Sequence, residues 1–210
     1  MPSLNVSFLP KAVLRSKAAV FLGENELTDV PIDIEYVAEC RYGMNIIPYS
    51  GLHREHGIDG FSASDFSAIY VDESVYSQRP TRLRFTVAHE LGHRVLHKTY
   101  LDTLEFSTVD EWIDALDSLD REDYDRMEFQ ANAFAGLVLV PQDHLEAGFK
   151  EQLQLLNPQI DEAKVNGLTR EDYLDSVVYA IADALLPRFD VSLDVVTIRI
   201  KTSEIDSWIP

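Results

Sequence analysis

The chain has 210 residues, of which 46% are hydrophobic and 26% charged, and its formal net charge is −18. This length is sufficient to bury a core and predicts one compact domain with at most a small appendage. No apolar run approaches the roughly 20 residues that a membrane helix needs, so we expect no membrane association. The strong acidity disfavours direct binding of DNA or RNA, because their phosphates attract cationic surfaces.

Cys40 is the only cysteine, so an intrachain disulfide is excluded. The N-terminal stretch lacks the basic start and the cleavage site that are typical of a signal peptide. Both observations favour a reducing cytoplasm as the location of the protein. The scarcity of cysteine also means that any metal site must be built from histidine, aspartate and glutamate.

The first elements predicted along the chain are a short helix and two strands. The helix begins near Pro31 and ends at Gly43, and a strand follows over Met44–Tyr49. A second strand is best placed at Phe66–Val71, where aromatic and β-branched residues gather.

Two longer helices follow. Pro80 precedes a helical pattern from Thr81 to about Lys98, and proline is favoured at the first turn of a helix. A second helix runs from about Arg121 to Val138, and Pro141 stops it, since proline disfavours helix in the residue before it. The inward face of the first of these helices is formed by residues at helical spacing: Phe85, Ala88, His89, Gly92 and Leu96.

The rest of the chain is expected to form a polar connector after this last proline, a helix near Arg170–Leu186 and a terminal segment. Elements mixed in this order indicate an α+β domain rather than a doubly wound sheet. We therefore divide the chain into an N-terminal extension (1–28), a main domain (29–141) and a mostly helical C-terminal region (142–210) packed on the same domain.

The stretch AHELGH, residues 88–93, contains the residue types of a metal site. His89 and His93 are four residues apart, so on a helix they lie on one face and can bind one ion. Glu90 is turned by about 100° from His89, so its carboxylate can lie beside the metal and act as a general base toward water. Gly92, which is costly inside a helix, indicates the close approach of another element.

A catalytic zinc binds three protein ligands and one water molecule, so a third ligand is needed. His97 lies about 12 Å along the helix axis from the first histidine, too far to share its ion, and is expected to support a ligand or lie at the surface. Glu128 is the better candidate, since it shares a helical face with Ala131 and Ala135. These small side chains permit tight packing against the Gly92 face of the first helix.

Four blocks of the chain are informative together: VPIDIEYVAECRYGMNI, RLRFTVAHELGHRVLH, MEFQANAFAGLVLVP and LLPRFDVSLDVVTIRIK. In this order they resemble the ImmA/IrrE-type metallo-endopeptidases, over most of the chain from about Asp29 onward. Four ordered blocks are a more specific match than the zinc-helix motif alone. The resemblance implies a zincin-like metalloprotease fold, in which a small sheet packs on the active-site helix.

The resemblance also implies roles for individual residues. His89, His93 and Glu128 would bind zinc, and Glu90 would be the catalytic glutamate. Manganese and iron stay open, because sites that contain a carboxylate accept several metals. The implied substrates are DNA-binding transcriptional repressors, whose cleavage derepresses mobile-element or stress-response genes. The last block is rich in β-branched residues, yet the resemblance predicts a helix with Ser192 as its N-cap.

Further residues are candidates for substrate binding or for support of the site. Tyr70 lies on the strand before the metal helix, and we expect that strand to be an exposed edge that aligns the substrate by strand addition. His97 and Asn132 are candidates for holding a metal ligand or for stabilising the oxyanion of the reaction. Tyr70, Arg84 and His144 are further candidates for the oxyanion role.

The segment Asp102–Glu128 contains eleven acidic residues and two arginines, a net charge of −9. The partner that we expect is a basic protein, a helix-turn-helix repressor, although a merely solvated acidic surface is the alternative.

Two other functions stay open. One is a non-proteolytic, metal-dependent sensor that sequesters a repressor, and the other is a metal-free interaction module such as a phage regulator or an antitoxin-like protein.

Overall fold

The computed structural model describes residues 5–104, 106 and 108–210, and these form two compact units. The first unit contains the described residues up to Thr28 together with Asp33–Val138. The second contains Asp29–Ile32 and Leu139–Pro210. The first four residues of the predicted extension lie outside the described residues, as does Glu105 of the acidic segment.

A mixed sheet of three strands forms in the described part of the first unit. Its strands are β1 (Asn45–Tyr49), β2 (Gly60–Ser62) and β3 (Ala68–Asp72), in the order β1-β3-β2. β1 is parallel to β3, and β2 is antiparallel to it. The strand predicted near Phe66–Val71 is therefore central, and the expectation that it forms an exposed edge is wrong. β2 covers it, and a strand of this length is too short to produce a recognisable alternating pattern.

The two long helices of the first unit confirm the sequence prediction. They are α5 (Pro80–Leu101) and α7 (Arg121–Leu139). The short helix predicted from Pro31 begins only at Ile34, where the Asp33 side chain caps it, and its second half is π-helical. The remaining helical segments are α1 (Lys11–Glu24), α2 (Ile34–Tyr36) with the π-helical Val37–Arg41, α3 (Leu52–His56), α4 (Glu73–Gln78) and α6 (Val109–Asp117).

The sheet packs on α5, the helix that carries the paired histidines. Ile69 and Val71 of β3 are fully buried, and so are Val87 and Leu91 of α5. Full burial of an aliphatic side chain of this size contributes roughly 1.5–3 kcal/mol. The chain therefore has the predicted α+β architecture, with a small sheet packed on the predicted metal helix.

The second unit is helical in its described elements. They are α8 (Gln142–Val165), α9 (Arg170–Phe189), α10 (Leu193–Thr202) and a short 3-10 helix, Ile205–Trp208. The polar connector predicted after Pro141 is wrong, because these residues form α8. Leu145 and Phe149 are four residues apart and fully buried, so a narrow apolar stripe holds an otherwise polar helix.

The predicted terminal helix is confirmed as α10. Ser192 caps it, since its hydroxyl accepts a hydrogen bond of 3.4 Å from the amide of Val195. The Arg199 guanidinium is only 4% exposed and donates to the carbonyl of Val140 at 3.3 Å and to the side chain of Gln142 at 2.9 Å. Among the helices described in either unit, none is both long and apolar enough to cross a bilayer.

Candidate metal centre

α5 and α7 approach each other closely at Gly92. A β-carbon added there would lie 3.2 Å from the Cα and the carbonyl oxygen of Ala131, and 3.2 Å from the ring of Phe134. An alanine at position 92 would therefore force the backbone of α7 or the ring of Phe134 to shift by a few tenths of an ångström, and both Ala131 and Ala135 are fully buried. The predicted approach of a second helix to Gly92 is confirmed, and it brings the facing side chains of the two helices together.

Three side chains converge where these helices meet: His89 and His93 of α5, and Glu128 of α7. The Nε2 atoms of the two histidines are 3.0 Å apart, and they lie 3.4 and 3.1 Å from the two carboxylate oxygens of Glu128. Ligand atoms around a tetrahedral zinc ion, with bonds of about 2.0–2.1 Å, are separated by roughly 3.3 Å. Two imidazoles and one carboxylate at these separations fit a divalent metal and leave one position open.

The charges of these three residues stabilise one another. Burial alone would lower the pKa of His89, but the carboxylates of Glu128 and Glu90 outweigh it and raise that pKa above its ordinary value. Burial alone would raise the pKa of Glu128, but hydrogen bonds from His89 and His93 hold it well below its usual range. Glu128 therefore stays ionised and offers the metal a full negative charge.

Each histidine of the cluster contacts a further polar side chain through its other ring nitrogen. Nδ1 of His89 lies 3.0 Å from Oδ1 of Asn132. Nδ1 of His93 lies 3.2 Å from Nδ1 of His97, whose Nε2 is 2.9 Å from Oε1 of Gln130. Burial, and then the neighbouring His93, lowers the pKa of His97 to about 3, so this imidazole is neutral. In both contacts the Nε2 atom that faces the cluster stays available to a metal.

Glu90 lies beside the cluster and is only 6% exposed. One carboxylate oxygen accepts a hydrogen bond of 2.7 Å from the hydroxyl of Ser62, on β2. A hydrogen bond to a charged group is roughly twice as strong as one between neutral groups. The strand therefore holds the carboxylate of Glu90 in one orientation, on the wall of the cavity that the cluster also lines.

The cluster opens into a cavity of about 230 Å³ within the first unit. Its polar wall includes Ser62, Tyr124 and Asn132. Burial and the nearby charge of Glu128 raise the pKa of Tyr124 to about 12, so its hydroxyl remains a hydrogen-bond donor. The apolar side chains that line the cavity are those of Ile58, Ala63, Phe66, Phe85, Leu101, Leu104, Phe106, Trp112, Leu116 and Met127.

The structure places the other predicted residues as follows. Tyr70 stacks on Phe61 with ring centroids 5.0 Å apart, in an aromatic cluster beside the sheet, and is not among the residues that line the cavity. Arg84 is buried and lies 3.4 Å from a carboxylate oxygen of Glu35. His144 belongs to the second unit. The predicted residues that line the cavity are His89, Glu90, His93, Glu128 and Asn132, with His97 in contact with His93.

Three residues of this region were missed in the sequence analysis. Ser62 lies on the unpredicted strand β2. Gln130 is the one uncharged polar residue of its stretch, EFQANAF, that is fully buried, and burial could be suspected only from its apolar and small neighbours. Tyr124 lies one helical turn before Glu128, but the acidic residues around it suggested an exposed surface.

Comparison with known proteins gives one family and a similar solved structure. The model of the IrrE N-terminal-like domain, a peptidase family, matches residues 54–201. A Mycobacterium tuberculosis transcriptional regulator has a similar structure, with a TM-score of 0.53 and 16% sequence identity, over 89% of this chain and 55% of that one. The chain thus spans little more than half the length of that protein, and the likeness bears on the fold alone. A comparison with curated protein sequences found no match.

An α+β fold of this kind, with a possible metal cluster on the helix beneath its sheet, defines a class of metallopeptidases with a zincin-like fold. The chain belongs to the peptidase family of the IrrE N-terminal-like domain, as its four sequence blocks predict. The match begins at residue 54, so the first of those blocks lies outside it. Membership of a metallopeptidase family implies a metal.

Proposed function

We propose that the protein is a zinc-dependent endopeptidase. The observation that carries this proposal is the convergence of His89, His93 and Glu128 on one point, beside the buried carboxylate of Glu90. When bound, a zinc ion supplies Lewis acidity, which polarises a carbonyl group and lowers the pKa of a water ligand to near 7. The two imidazoles and the carboxylate would hold the ion, with zinc favoured only weakly over manganese or iron.

Glu90 is the general base in this proposal. Its carboxylate takes a proton from the attacking water and then delivers it to the leaving amine of the substrate. The Ser62 hydroxyl, 2.7 Å from one carboxylate oxygen, leaves the other oxygen for this transfer. We assign stabilisation of the oxyanion to Tyr124, because it lines the cavity and its hydroxyl stays protonated.

In this proposal the peptide substrate binds as an extended strand along β2. In the described part of the chain β2 pairs only with β3 and lies at an edge of the sheet. An extended peptide can add to such an edge by backbone hydrogen bonds. The side chain of Ser62 links this edge to Glu90, so a peptide on β2 would lie next to the general base.

The substrate class that we propose is a basic, DNA-binding repressor in the cytoplasm. α6 supports it, since Trp112 and Leu116 line the cavity while its acidic residues are exposed. Charges of one sign around a cleft attract a partner of the opposite sign. The family acts on regulator proteins, which is consistent with such a substrate. The exposed acidic residues of α6 are Asp110, Glu111, Asp114 and Asp117.

Glu90→Gln tests the proposal. The protein and this variant are incubated with zinc and with the basic regulator encoded beside it, and fragments are resolved by mass spectrometry. Removal of a general base should lower the cleavage rate by about 10²–10⁴-fold, while zinc affinity stays close to that of the unchanged protein.

Glu39→Gln is the matched control, because Glu39 is exposed and the substitution is the same. It should cleave at the normal rate. Normal cleavage by Glu90→Gln contradicts the mechanism. Derepression of target genes by a variant that cannot cleave would instead identify a sensor that sequesters the regulator.

A further inference from the structure

A chain of hydrogen bonds runs from His93 away from the metal cluster to the N-terminal segment of the first unit. Nδ1 of His93 is 3.2 Å from Nδ1 of His97, and Nε2 of His97 is 2.9 Å from Oε1 of Gln130. The amide nitrogen of Gln130 donates to the backbone carbonyl of Ser7 at 2.9 Å. Four groups from three separate parts of the chain are therefore connected in series.

The carbonyl of Ser7 determines which group donates and which accepts in every hydrogen bond of this series. A carbonyl oxygen only accepts, so the NH₂ group of Gln130 must face Ser7 and its oxygen must face His97. That oxygen also only accepts, so Nε2 of His97 carries the proton. A second proton would place a charge on a ring that is only 1% exposed and bonds to an uncharged amide, so Nδ1 of His97 is an acceptor. His93 must then donate from Nδ1. Nε2 is then the nitrogen of His93 that can offer a lone pair to a metal, and it faces Glu128.

Burial makes this order of donors and acceptors difficult to change. His97 and Gln130 are each only 1% exposed, so water offers neither side chain a ready alternative partner. A buried polar group without a partner costs about 1–3 kcal/mol. Rotation of either side chain would leave at least one such group unpaired.

The N-terminal segment is itself held in place by side chains of the first unit. The backbone amides of Asn5 and Val6 donate to the carboxylate of Asp123 at 3.1 and 2.9 Å. Arg126 donates to the carbonyl of Val6. The Val6 side chain is 2% exposed and belongs to a buried apolar cluster with Met127. The acceptor that ends the hydrogen-bond chain therefore has a defined position.

We propose that His97, Gln130 and the backbone of the N-terminal segment position His93 for metal binding. They hold its ring orientation and keep the proton on Nδ1, so that Nε2 is presented to the ion. This inference rests on the proposed function for its metal, but it makes His97 and Gln130 positioning residues in their own right. Loss of the outer partner of a metal-binding histidine typically costs ten- to a hundredfold in metal affinity.

Zinc affinity of four variants tests the inference, measured by chelator competition in the Glu90→Gln background so that cleavage plays no part. His97→Leu and Gln130→Leu should bind zinc about ten- to a hundredfold more weakly. His97→Gln should retain most of the affinity, because its side-chain oxygen can still accept from His93. His56→Leu, on α3, is the control and should bind normally, since His56 does not line the cavity.

A purely structural role for His97 predicts a different pattern. Leucine would then be tolerated at least as well as glutamine at position 97, since the site is buried. Equal zinc affinity in His97→Leu and the parent, or weaker binding by His97→Gln than by His97→Leu, overturns the inference. Failure of the parent to bind any zinc would instead remove the proposed function, so the two failures are distinguishable.

A second measurement needs no substitution at these positions. In zinc-loaded protein with ¹⁵N-labelled histidines, NMR should detect the proton of His93 on Nδ1 and that of His97 on Nε2. A scalar coupling between the two Nδ1 atoms across their hydrogen bond should also be present. A proton on Nδ1 of His97 would contradict the proposed chain, even if His97→Leu fails to fold.

Discussion

The two units bury polar side chains in different ways. In the first unit Glu90, His93, His97 and Gln130 are all buried, and each bonds to another polar side chain or to the N-terminal backbone near one cavity. In the second unit Arg199 is buried but bonds to the carbonyl of Val140 and to a side chain at the start of α8. Burial of polar groups costs free energy unless their bonds are complete. The first arrangement leaves imidazole nitrogens facing a cavity, whereas the second joins helices.

Because of this difference, we expect substitutions in the two units to affect stability and metal affinity differently. Substitutions in either unit can lower the free energy of unfolding, because both have closely packed helices. Only substitutions that move the polar groups of the first unit should change metal affinity. Each of the following predictions measures one or both of these quantities.

The largest effect is expected for Glu128→Ala. This substitution removes one of three ligand candidates and leaves two buried histidines without their carboxylate. Zinc affinity, measured by chelator competition, should fall by more than about a hundredfold, since loss of an outer partner alone costs ten- to a hundredfold. Asp125→Ala removes the same charge from an exposed position on α7 and should bind zinc normally. Equal losses in both variants would mean that overall charge, not ligation, holds the ion.

The next largest effects are expected at two helix contacts, one in each unit. Gly92→Ala would press against the backbone of Ala131 at 3.2 Å, whereas Gly148→Ala would press against the ends of the Arg188 and Leu185 side chains, which can move aside. Overpacking of this kind costs typically about 1–3 kcal/mol. Chemical denaturation of metal-free protein should show this loss in Gly92→Ala and a smaller one in Gly148→Ala. Only Gly92→Ala should also weaken zinc binding, because it separates the two helices that supply the ligands. An equal loss of zinc affinity in Gly148→Ala would contradict the distinction between the units.

The long helices and the residues of the metal cluster were predictable because two independent patterns coincide in them. The spacing of His89 and His93 specifies a helix face, and Gly92 with Ala131 indicates where a second helix approaches. Both signals are local, so they need no knowledge of the fold. The contact of Gly92 with Ala131 agrees with them.

Other parts of the fold depend on contacts that local patterns do not contain. β2 has three residues and is a strand only because β3 pairs with it. α8 looks polar, and only four of its 24 residues are buried. The burial of His97 depends on Gln130 and on a backbone carbonyl far away in the sequence. Sequence spacing alone could exclude His97 as a shared ligand, but not distinguish a supporting residue from a surface one.

A smaller effect on stability is expected when low pH protonates Asp72 of the first unit. Burial alone would raise its pKa, but hydrogen bonds from the Ser74 hydroxyl and from the amides of His53 and Ser74 outweigh it, and the pKa falls to about 2. Because the folded pKa is lower than the ordinary 3.8, the ionised group stabilises the fold above about pH 4. This contribution is lost as the pH falls toward 2. It should amount to about 1–2 kcal/mol, since the carboxylate is buried but close to the surface.

Asp72→Asn measures this contribution in metal-free protein. Denaturant unfolding should show the variant to be less stable at pH 7, with the difference from the unchanged protein shrinking between about pH 4 and pH 2. Asp161→Asn, at an exposed position in the second unit, should show little difference at either pH. A difference at Asp72 that is constant with pH would indicate lost packing rather than lost charge.

The smallest effect is expected at the start of α10 in the second unit. Ser192→Ala removes the hydroxyl that accepts from the amide of Val195, and the 3.4 Å distance indicates a weak bond. The loss should be about 0.5–1 kcal/mol, at the low end for an N-cap, and Ser192→Gly should lose only a few tenths. Because α10 is rich in β-branched residues, this cap helps a sequence that otherwise favours strand. Zinc affinity should be unchanged in both variants. A measurable change would show that the helical unit influences the metal centre, and the separation of stability from metal binding would not hold.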